Sequence, residues 1–129
     1  MKDKPSRRVK SSSETWRLDG KLHREDGPAV IHSNGTREWF LDDRRHREDG
    51  PAIIYADGSE EWSVNGRLHR EDGPAAVYSN GVQIWYLNGR RHRLGGPAVI
   101  RPGCPSEWWL NGKRVDPLAH MMMVYERQT

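Results

Sequence analysis

Hydrophobic and polar positions along this chain repeat with a period of 23 residues. A segment with the sequence His-Arg-Glu-Asp-Gly-Pro-Ala occurs three times unaltered and a fourth time with Leu94 and Gly95 in place of Glu and Asp. The four copies begin at His23, His46, His69 and His92. Tryptophan keeps the same period at Trp16, Trp39, Trp62, Trp85 and Trp108. A fixed period of this length indicates a tandem array of small structural units.

Each unit contains two turn signals between short apolar segments. The first signals are Asp19-Gly20, Asn65-Gly66, Asn88-Gly89 and Asn111-Gly112, and the second are Asn34-Gly35, Asp57-Gly58 and Asn80-Gly81. Such dipeptides favour two-residue type I′ hairpin turns. Two turns per unit predict an all-β repeat array, a meander of about nine short antiparallel strands. Asp42-Asp43 breaks the pattern, and we expect a strained turn there because Asp lacks the conformational freedom of Gly.

The turns also predict which residues lie opposite each other. A two-residue turn at Asn34-Gly35 would place Val30 opposite Trp39. A two-residue turn at Asp19-Gly20 would place Trp16 opposite His23. Because register decides which side chains share a face, one face should carry a ladder of aliphatic residue, Trp and His.

The two ends of the chain differ from the repeats. Residues 1–13 lack apolar periodicity and carry several basic residues, so they predict a disordered basic tail before an array over 14–115. Residues 116–129 predict a helix, with Asp116 as N-cap and Pro117 in the first turn.

That helix has one apolar stripe, and the stripe supports two interpretations. Its members are Leu118, Met121, Met122 and Tyr125. A terminal element of this kind can cap the last exposed edge of an array, which is the interpretation we favour. A Met-rich helix that binds a partner is the alternative.

Composition and charge limit the remaining classes of function. The single Cys104 excludes an intrachain disulfide framework, and no apolar run approaches the length of about 20 residues that crosses a bilayer. The N-terminus lacks the apolar segment of a signal peptide, so we expect a cytoplasmic protein. The net charge of +3 depends on residues 1–10, which hold five basic residues and one acidic residue. Nucleic-acid or membrane contact is therefore expected only as a weak property of this tail.

The regular histidines suggest a metal site, but the array geometry argues against one. Equivalent residues two strands apart are separated by about 10 Å, whereas zinc ligands converge to about 2 Å from one ion. An array of identical groups also lacks the asymmetric constellation of an active site. We therefore expect no metal, no cofactor and no enzymatic activity.

The repeat unit resembles the MORN repeat. The residues that carry this resemblance are the Trp-x-x-Asn-Gly-Lys/Arg-x-His segment and the following Asn/Asp-Gly turn, over about Trp16 to Gly112. It is similar above all to the MORN-variant repeats of small bacterial and bacteriophage proteins, some of them antitoxin-like. The resemblance implies a β-hairpin array that scaffolds, dimerises or binds a partner. It also implies a bacterial or phage-related target that such a protein would inhibit.

Two kinds of binding follow as hypotheses. The first is a protein-interaction module, because Trp, Tyr and Arg are enriched in binding hot spots. The exposed candidates are Tyr55, Tyr78, Tyr86, Trp109 and the repeated arginines. The alternative is a binder of a small anion or nucleotide, contacted by Arg24, Arg47, Arg70 and Arg93, although these arginines could instead pair with neighbouring Glu. An uncovered sheet edge also predicts a homodimer.

Overall fold

The structure is a computed structural model that describes residues 3–128, without the side chains of residues 127 and 128. The chain forms two units, residues 1–67 and 68–129. Both consist of short antiparallel strands joined by tight turns, and a single helix follows the last hairpin. The predicted fold class, an all-β hairpin array with a C-terminal helix, is therefore confirmed.

The first unit contains a hairpin meander. Its strands are β1 (Ser6–Lys10), β2 (Ser13–Leu18), β3 (Lys21–Leu22), β4 (Val30–Ile31), β5 (Arg37–Glu38), β6 (Phe40–Leu41), β7 (Arg44–Arg45), β8 (Ile53–Ile54), β9 (Glu60–Glu61) and β10 (Ser63–Val64). Strands β1, β2, β4, β5, β8 and β9 pair in that order, whereas β3 pairs with β2 and β6 with β7.

The second unit repeats this arrangement. Strand β11 (Arg67–Leu68) spans the boundary, and then come β12 (Ala76–Val77), β13 (Gln83–Ile84), β14 (Tyr86–Leu87), β15 (Arg90–Arg91), β16 (Val99–Ile100), β17 (Trp108–Leu110), β18 (Lys113–Val115) and α1 (Pro117–Gln128). Strand β13 pairs with β12 and β16, β14 with β15, and β17 with β18.

The strands are about twice as numerous as predicted because three expected strands are interrupted at tryptophan, at Trp39, Trp62 and Trp85, and four others are divided by the repeated loop. On one side of Trp39, Glu38 pairs with Val30 and Ile53. On the other side, Phe40 pairs with Arg45. The chain thus changes partners at the tryptophan, and one expected strand becomes two.

The first set of turns has the predicted type I′ geometry. Asn88 and Gly89, for example, have φ values of 49° and 79°. Asp42 and Asp43 adopt the same left-handed conformation, with φ values of 49° and 64°. Asp43 also accepts the backbone N–H of Leu22 with its carboxylate, at 2.7 Å. This bond is a local reason for an Asp where the other turns have Gly.

The second set of turns differs from the prediction, and the register shifts with it. The N–H of His32 bonds to the carbonyl of Thr36, so the loop holds three residues, and only Gly35 has positive φ. Val30 lies opposite Glu38 and not opposite Trp39. The aliphatic–Trp part of the predicted ladder is therefore wrong. The Trp–His part is correct, because the N–H of His23 bonds to the carbonyl of Trp16.

The predicted disordered tail is also wrong for most of its length. Residues 6–10 form β1, which pairs with β2 along its whole length through a turn at Ser11-Ser12. Both serines have positive φ, 50° and 64°, which sequence rarely signals for Ser. The strand covers the edge of β2, so this edge is protected by a basic strand. Residues 1 and 2 of the predicted tail lie outside the described residues.

The buried residues are small and come mostly from the repeated segment. The alanine that ends each copy is fully buried, at Ala29, Ala52, Ala75 and Ala98. The residue after it adds Val30, Ile53, Ala76 and Val99. The tryptophans are half-buried, so they cover this narrow core and do not form its centre.

Candidate interaction surfaces

The repeated arginines, predicted to contact an anion, pack against tryptophans. The guanidinium carbon of Arg24 lies 3.9 Å from the centroid of the Trp16 ring. The corresponding distances are 4.0 Å from Arg47 to Trp39 and 3.9 Å from Arg93 to Trp85. A cation over an indole face is attracted by the ring's electron density. The partner tryptophan precedes each arginine by eight residues.

The same guanidinium groups also make hydrogen bonds within their own loop. In all four copies Nη1 donates to the carbonyl of the loop proline at 3.1 Å, for example from Arg47 to Pro51. In three copies Nε donates to the Asp two residues later, for example from Arg47 to Asp49 at 3.2 Å. The ionic partner is thus Asp and not Glu. Anion binding by these arginines remains a prediction, and it would have to use the N–H groups left over.

One glycine in each loop makes room for the guanidinium. A methyl group on Gly50 would lie 2.7 Å from the guanidinium carbon of Arg47, and one on Gly96 would lie 3.0 Å from that of Arg93. Gly95, which replaces Asp in the fourth copy, has nothing within 4 Å. The glycine before the proline therefore allows the close packing of the guanidinium, whereas the residue before this glycine is Asp in three copies and Gly in the fourth.

The repeated histidines connect successive hairpins. Nδ1 of His46 accepts the backbone N–H of Asn65 at 3.0 Å, and His69 and His92 accept those of Asn88 and Asn111 at the same distance. His23 binds Asp42 in the same way at 3.2 Å. Because the accepting nitrogen carries no proton, the neutral ring is protonated at Nε2. Nε2 lies 3.4–3.7 Å from a loop Glu in three copies.

An open groove of about 760 Å³ separates the first two loops of the first unit. Its lining residues are Arg24, Glu25, Asp26, Gly27, Trp39, Leu41, His46, Arg47, Glu48 and Asp49. Four carboxylates line it against two arginines that are already bound within their own loops. This balance does not favour an anionic ligand in the groove.

The four aromatic residues predicted as exposed contacts are half-buried. Tyr78, Tyr86 and Trp109 pack against the core of the second unit. Trp109 also donates its Nε1–H to Glu107 at 3.0 Å. Burial, and next the negative charge of Glu61, raise the pKa of Tyr55. The expectation of exposure is therefore wrong, whereas their role in binding is still a prediction.

Glu38 is the centre of a polar cluster in the first unit. Nε2 of His32 lies 2.6 Å from one of its oxygens, and Nη2 of Arg45 donates to the other at 2.9 Å. Burial raises the pKa of Glu38, but the hydrogen bonds from His32 and Arg45 outweigh it, so the pKa lies below its ordinary value of 4.5. The carboxylate thus stabilises the unit in its ionised form.

The helix α1 begins as predicted, but a different residue attaches it. The carboxylate of Asp116 accepts the N–H of Ala119 at 2.9 Å, as an N-cap should. His120 is 1% exposed, packs edge-on against Trp108 with ring centroids 4.9 Å apart, and lies within hydrogen-bond distance of the Arg93 carbonyl. The histidine therefore connects α1 both to β17 and to the fourth loop.

The apolar stripe of α1 faces solvent. Leu118, Met121, Met122 and Tyr125 are 67%, 62%, 58% and 68% exposed. Their spacing of i, i+3, i+4 and i+7 places them on the side of the helix opposite His120. The capping contact is thus made by His120, and the stripe that suggested capping is left uncovered.

Leu94 adds a further exposed apolar residue near this helix. It is 46% exposed and follows Arg93, whose carbonyl contacts His120. The other three loops carry Glu at this position. The loop that contacts α1 is therefore the one that has lost its acidic residues. Because His120 lies on the side of α1 opposite the stripe, this loop does not adjoin the stripe, and we call Leu118, Met121, Met122 and Tyr125 the helix patch.

Three further features of residues 3–128 concern metal ligands, membrane-spanning helices and cysteine pairs. No three His, Cys, Asp or Glu side chains there are grouped so as to hold a metal ion. Within the same residues, no helix is long and apolar enough to cross a membrane. Cys104 is exposed and forms no disulfide within these residues.

No protein-family model matches the chain, and a comparison with curated proteins found no match either. The resemblance to MORN-variant repeats therefore remains a prediction from the residues.

Proposed function

We propose that this protein is a non-enzymatic interaction module that binds another protein through the helix patch. The observation that supports this proposal is the exposure of four large apolar side chains on one side of α1. Monomeric soluble proteins rarely expose contiguous apolar patches of this kind without an interaction role.

The spacing of the patch residues suggests the geometry of the complex. Leu118, Met121, Met122 and Tyr125 have the i, i+3, i+4, i+7 pattern with which amphipathic helices occupy an apolar groove. We therefore propose a groove on a different protein as the binding site. An inhibitory role toward a bacterial or phage-related target is part of the proposal only through the resemblance to MORN-variant proteins.

A site-specific photo-crosslink tests this proposal. A crosslinking amino acid replaces Met122 in the full chain, which is expressed in the native host. We expect one adduct with a different protein, lost when Leu118→Lys is added and retained when Glu126→Lys is added as the control on the same helix. Absence of an adduct, or equal yields with both variants, would overturn the proposal.

Light scattering on the purified chain separates this complex from self-association. A second copy could also cover the helix patch, which would give a homodimer by a different contact from the predicted pairing of sheet edges. A dimer mass at micromolar concentration that Met121→Lys converts to a monomer mass would identify the second copy as the occupant. That result would contradict the heterologous groove.

A further inference from the structure

Two equivalent pairs of arginines, one in each unit, differ in the number of acidic residues around them. In the first unit, Arg44 and Arg45 follow the acidic turn Asp42-Asp43, and Arg45 is ion-paired with Glu38 at 2.9 Å. Asp42 and Asp43 directly precede the two arginines in sequence, and Glu38 contacts Arg45 in space. The Arg44–Arg45 hairpin therefore has at least as many carboxylates as cations around it, and one of them is ion-paired with Arg45.

The equivalent hairpin of the second unit has lost these carboxylates. Arg90 and Arg91 occur 46 residues later, but Ile84, Asn88 and Gly89 replace Glu38, Asp42 and Asp43. The next hairpin repeats the arrangement with Lys113 and Arg114 after Asn111-Gly112. None of the four cationic side chains forms an ion pair within the residues that the structure describes.

The two basic hairpins are in contact. The N–H of Gly112 bonds to the carbonyl of Arg91 at 2.9 Å, and a methyl group on Gly112 would lie 3.6 Å from Cβ of Arg90. Residues 68–129 carry eight Lys or Arg and five Asp or Glu, whereas residues 1–67 carry thirteen of each. Positive charge is therefore concentrated on these hairpins. We call Arg90, Arg91, Lys113 and Arg114 the basic hairpin surface.

Aromatic rings accompany the cations. Tyr86 lies directly opposite Arg91, and Trp109 lies opposite Arg114. The Arg91 guanidinium carbon is 4.9 Å from the Trp109 ring centroid. Glu107 lies beside them, forms an ion pair with Arg101 and also attracts Arg114, so this one carboxylate offsets only part of the positive charge. Alternation of cations and aromatic rings is the combination that binds the phosphates and bases of single strands.

We propose that the basic hairpin surface binds single-stranded nucleic acid, independently of the helix patch. Arg90 and Lys113 lie opposite Leu87 and Leu110, so they project from the other side of the hairpins than Arg91 and Arg114. Cations on both sides of a narrow hairpin suit a flexible linear polyanion better than a planar membrane surface.

Fluorescence anisotropy with a labelled 20-nucleotide poly(dT) tests the proposal. Four phosphate contacts predict a slope of about −3 for the logarithm of the binding constant against that of the salt concentration. We expect the variant with Gln at Arg90, Arg91, Lys113 and Arg114 to bind at least tenfold more weakly and to lose this slope. The control carries Gln at Lys4, Arg8, Arg37 and Arg44, which are exposed, and changes the net charge equally.

A second variant removes no cation. Asn88→Asp with Gly89→Asp copies the acidic turn of the first unit, where both residues already adopt this conformation as Asp. We expect weaker binding of poly(dT) by a variant that loses some thermal stability through the Asp side chain at positive φ but stays folded at the temperature of the assay. Equal affinities of the four-Gln variant and its control, no binding by the original chain at 50 mM salt, or stronger binding to phosphatidylserine vesicles than to poly(dT) would each overturn the proposal.

Discussion

In the first unit, the residue that pairs with Val30 is Glu38, which is bound by His32 and Arg45. In the second unit, the residue that pairs with Ala76 is Ile84, which belongs to the apolar core. The backbone pairing is the same in both cases. One position of the repeat therefore accepts either a polar cluster or an apolar contact. With Glu38 at this position, the neighbouring Arg45 is ion-paired within the unit, whereas Ile84 leaves Arg91 without such a carboxylate.

The largest expected effect on stability comes from placing the acidic residue of the first unit at the equivalent apolar position of the second unit. Ile84→Glu places a carboxylate among Ala76, Val99 and their aromatic neighbours, where the residue equivalent to His32 is Tyr78. We expect a loss of about 3 kcal/mol in the free energy of unfolding, because a poorly compensated charge is buried. Urea unfolding measures it. A loss below about 1 kcal/mol would mean that Arg91 compensates Glu at this position as Arg45 does.

The repeated arginine should matter equally in both units. Arg47→Ala and Arg93→Ala each remove a cation from an indole face and leave a proline carbonyl without its donor. We expect each substitution to cost about 2–3 kcal/mol by urea unfolding. A negligible cost at either position would show that the guanidinium does not stabilise the fold there. That result would favour a role of this arginine in binding an anion.

A smaller and pH-dependent effect is expected at Glu38. Its pKa in the folded state is lowered, so its ionised form contributes stability that is complete above its unfolded pKa and is lost as the pH falls through its folded pKa. We expect Glu38→Gln to cost about 2 kcal/mol at pH 7. The difference from the original chain should shrink in acid. Unfolding curves between pH 7 and pH 3 measure it, and a constant difference would contradict this role of the charge.

The smallest effect on stability should come from giving the second copy of the loop the two residues that distinguish the fourth copy. Glu48→Leu with Asp49→Gly leaves Arg47, Gly50 and Pro51 in place, and the fourth loop keeps its arginine geometry with Leu94 and Gly95. We expect a change within about 0.5 kcal/mol, since the Arg47–Asp49 pair is exposed on the Asp side. A cost above about 1 kcal/mol would show that the acidic residues hold the loop.

The sequence predicted the parts of this fold that follow from local turn chemistry. Asn-Gly with positive φ at both residues was recognisable at Asn88-Gly89, and the Trp85–His92 pairing followed from it. The same dipeptide at Asn34-Gly35 forms a longer loop, in which the Asn34 side chain accepts the N–H of Thr36 at 2.9 Å. Because Asn-Gly fits both loops, the dipeptide alone does not decide the register.

The candidate surfaces were harder to predict than the fold. The Trp–His register placed His23 opposite Trp16, and alternation of side chains would send Arg24 to the other face, so its stacking on the Trp16 ring did not follow from the sequence. The attachment of α1 by His120 had a weaker signal, namely one histidine on the side opposite the Met residues. The exposure of Met121 and Met122 depends on what covers the helix in three dimensions, and an amphipathic pattern does not contain that information.

The hydrogen bonds from turn N–H groups to histidine Nδ1 have a consequence for changes in chain length. Each one joins residues 19 positions apart, as between His46 and Asn65, and the same bond recurs after 23 residues. Excising or duplicating a whole period within the array gives each repeated histidine an equivalent turn residue at the right distance. Adding or removing a single residue between a histidine and its turn breaks that bond. Arrays of this kind can therefore gain or lose length by recombination in steps of one period.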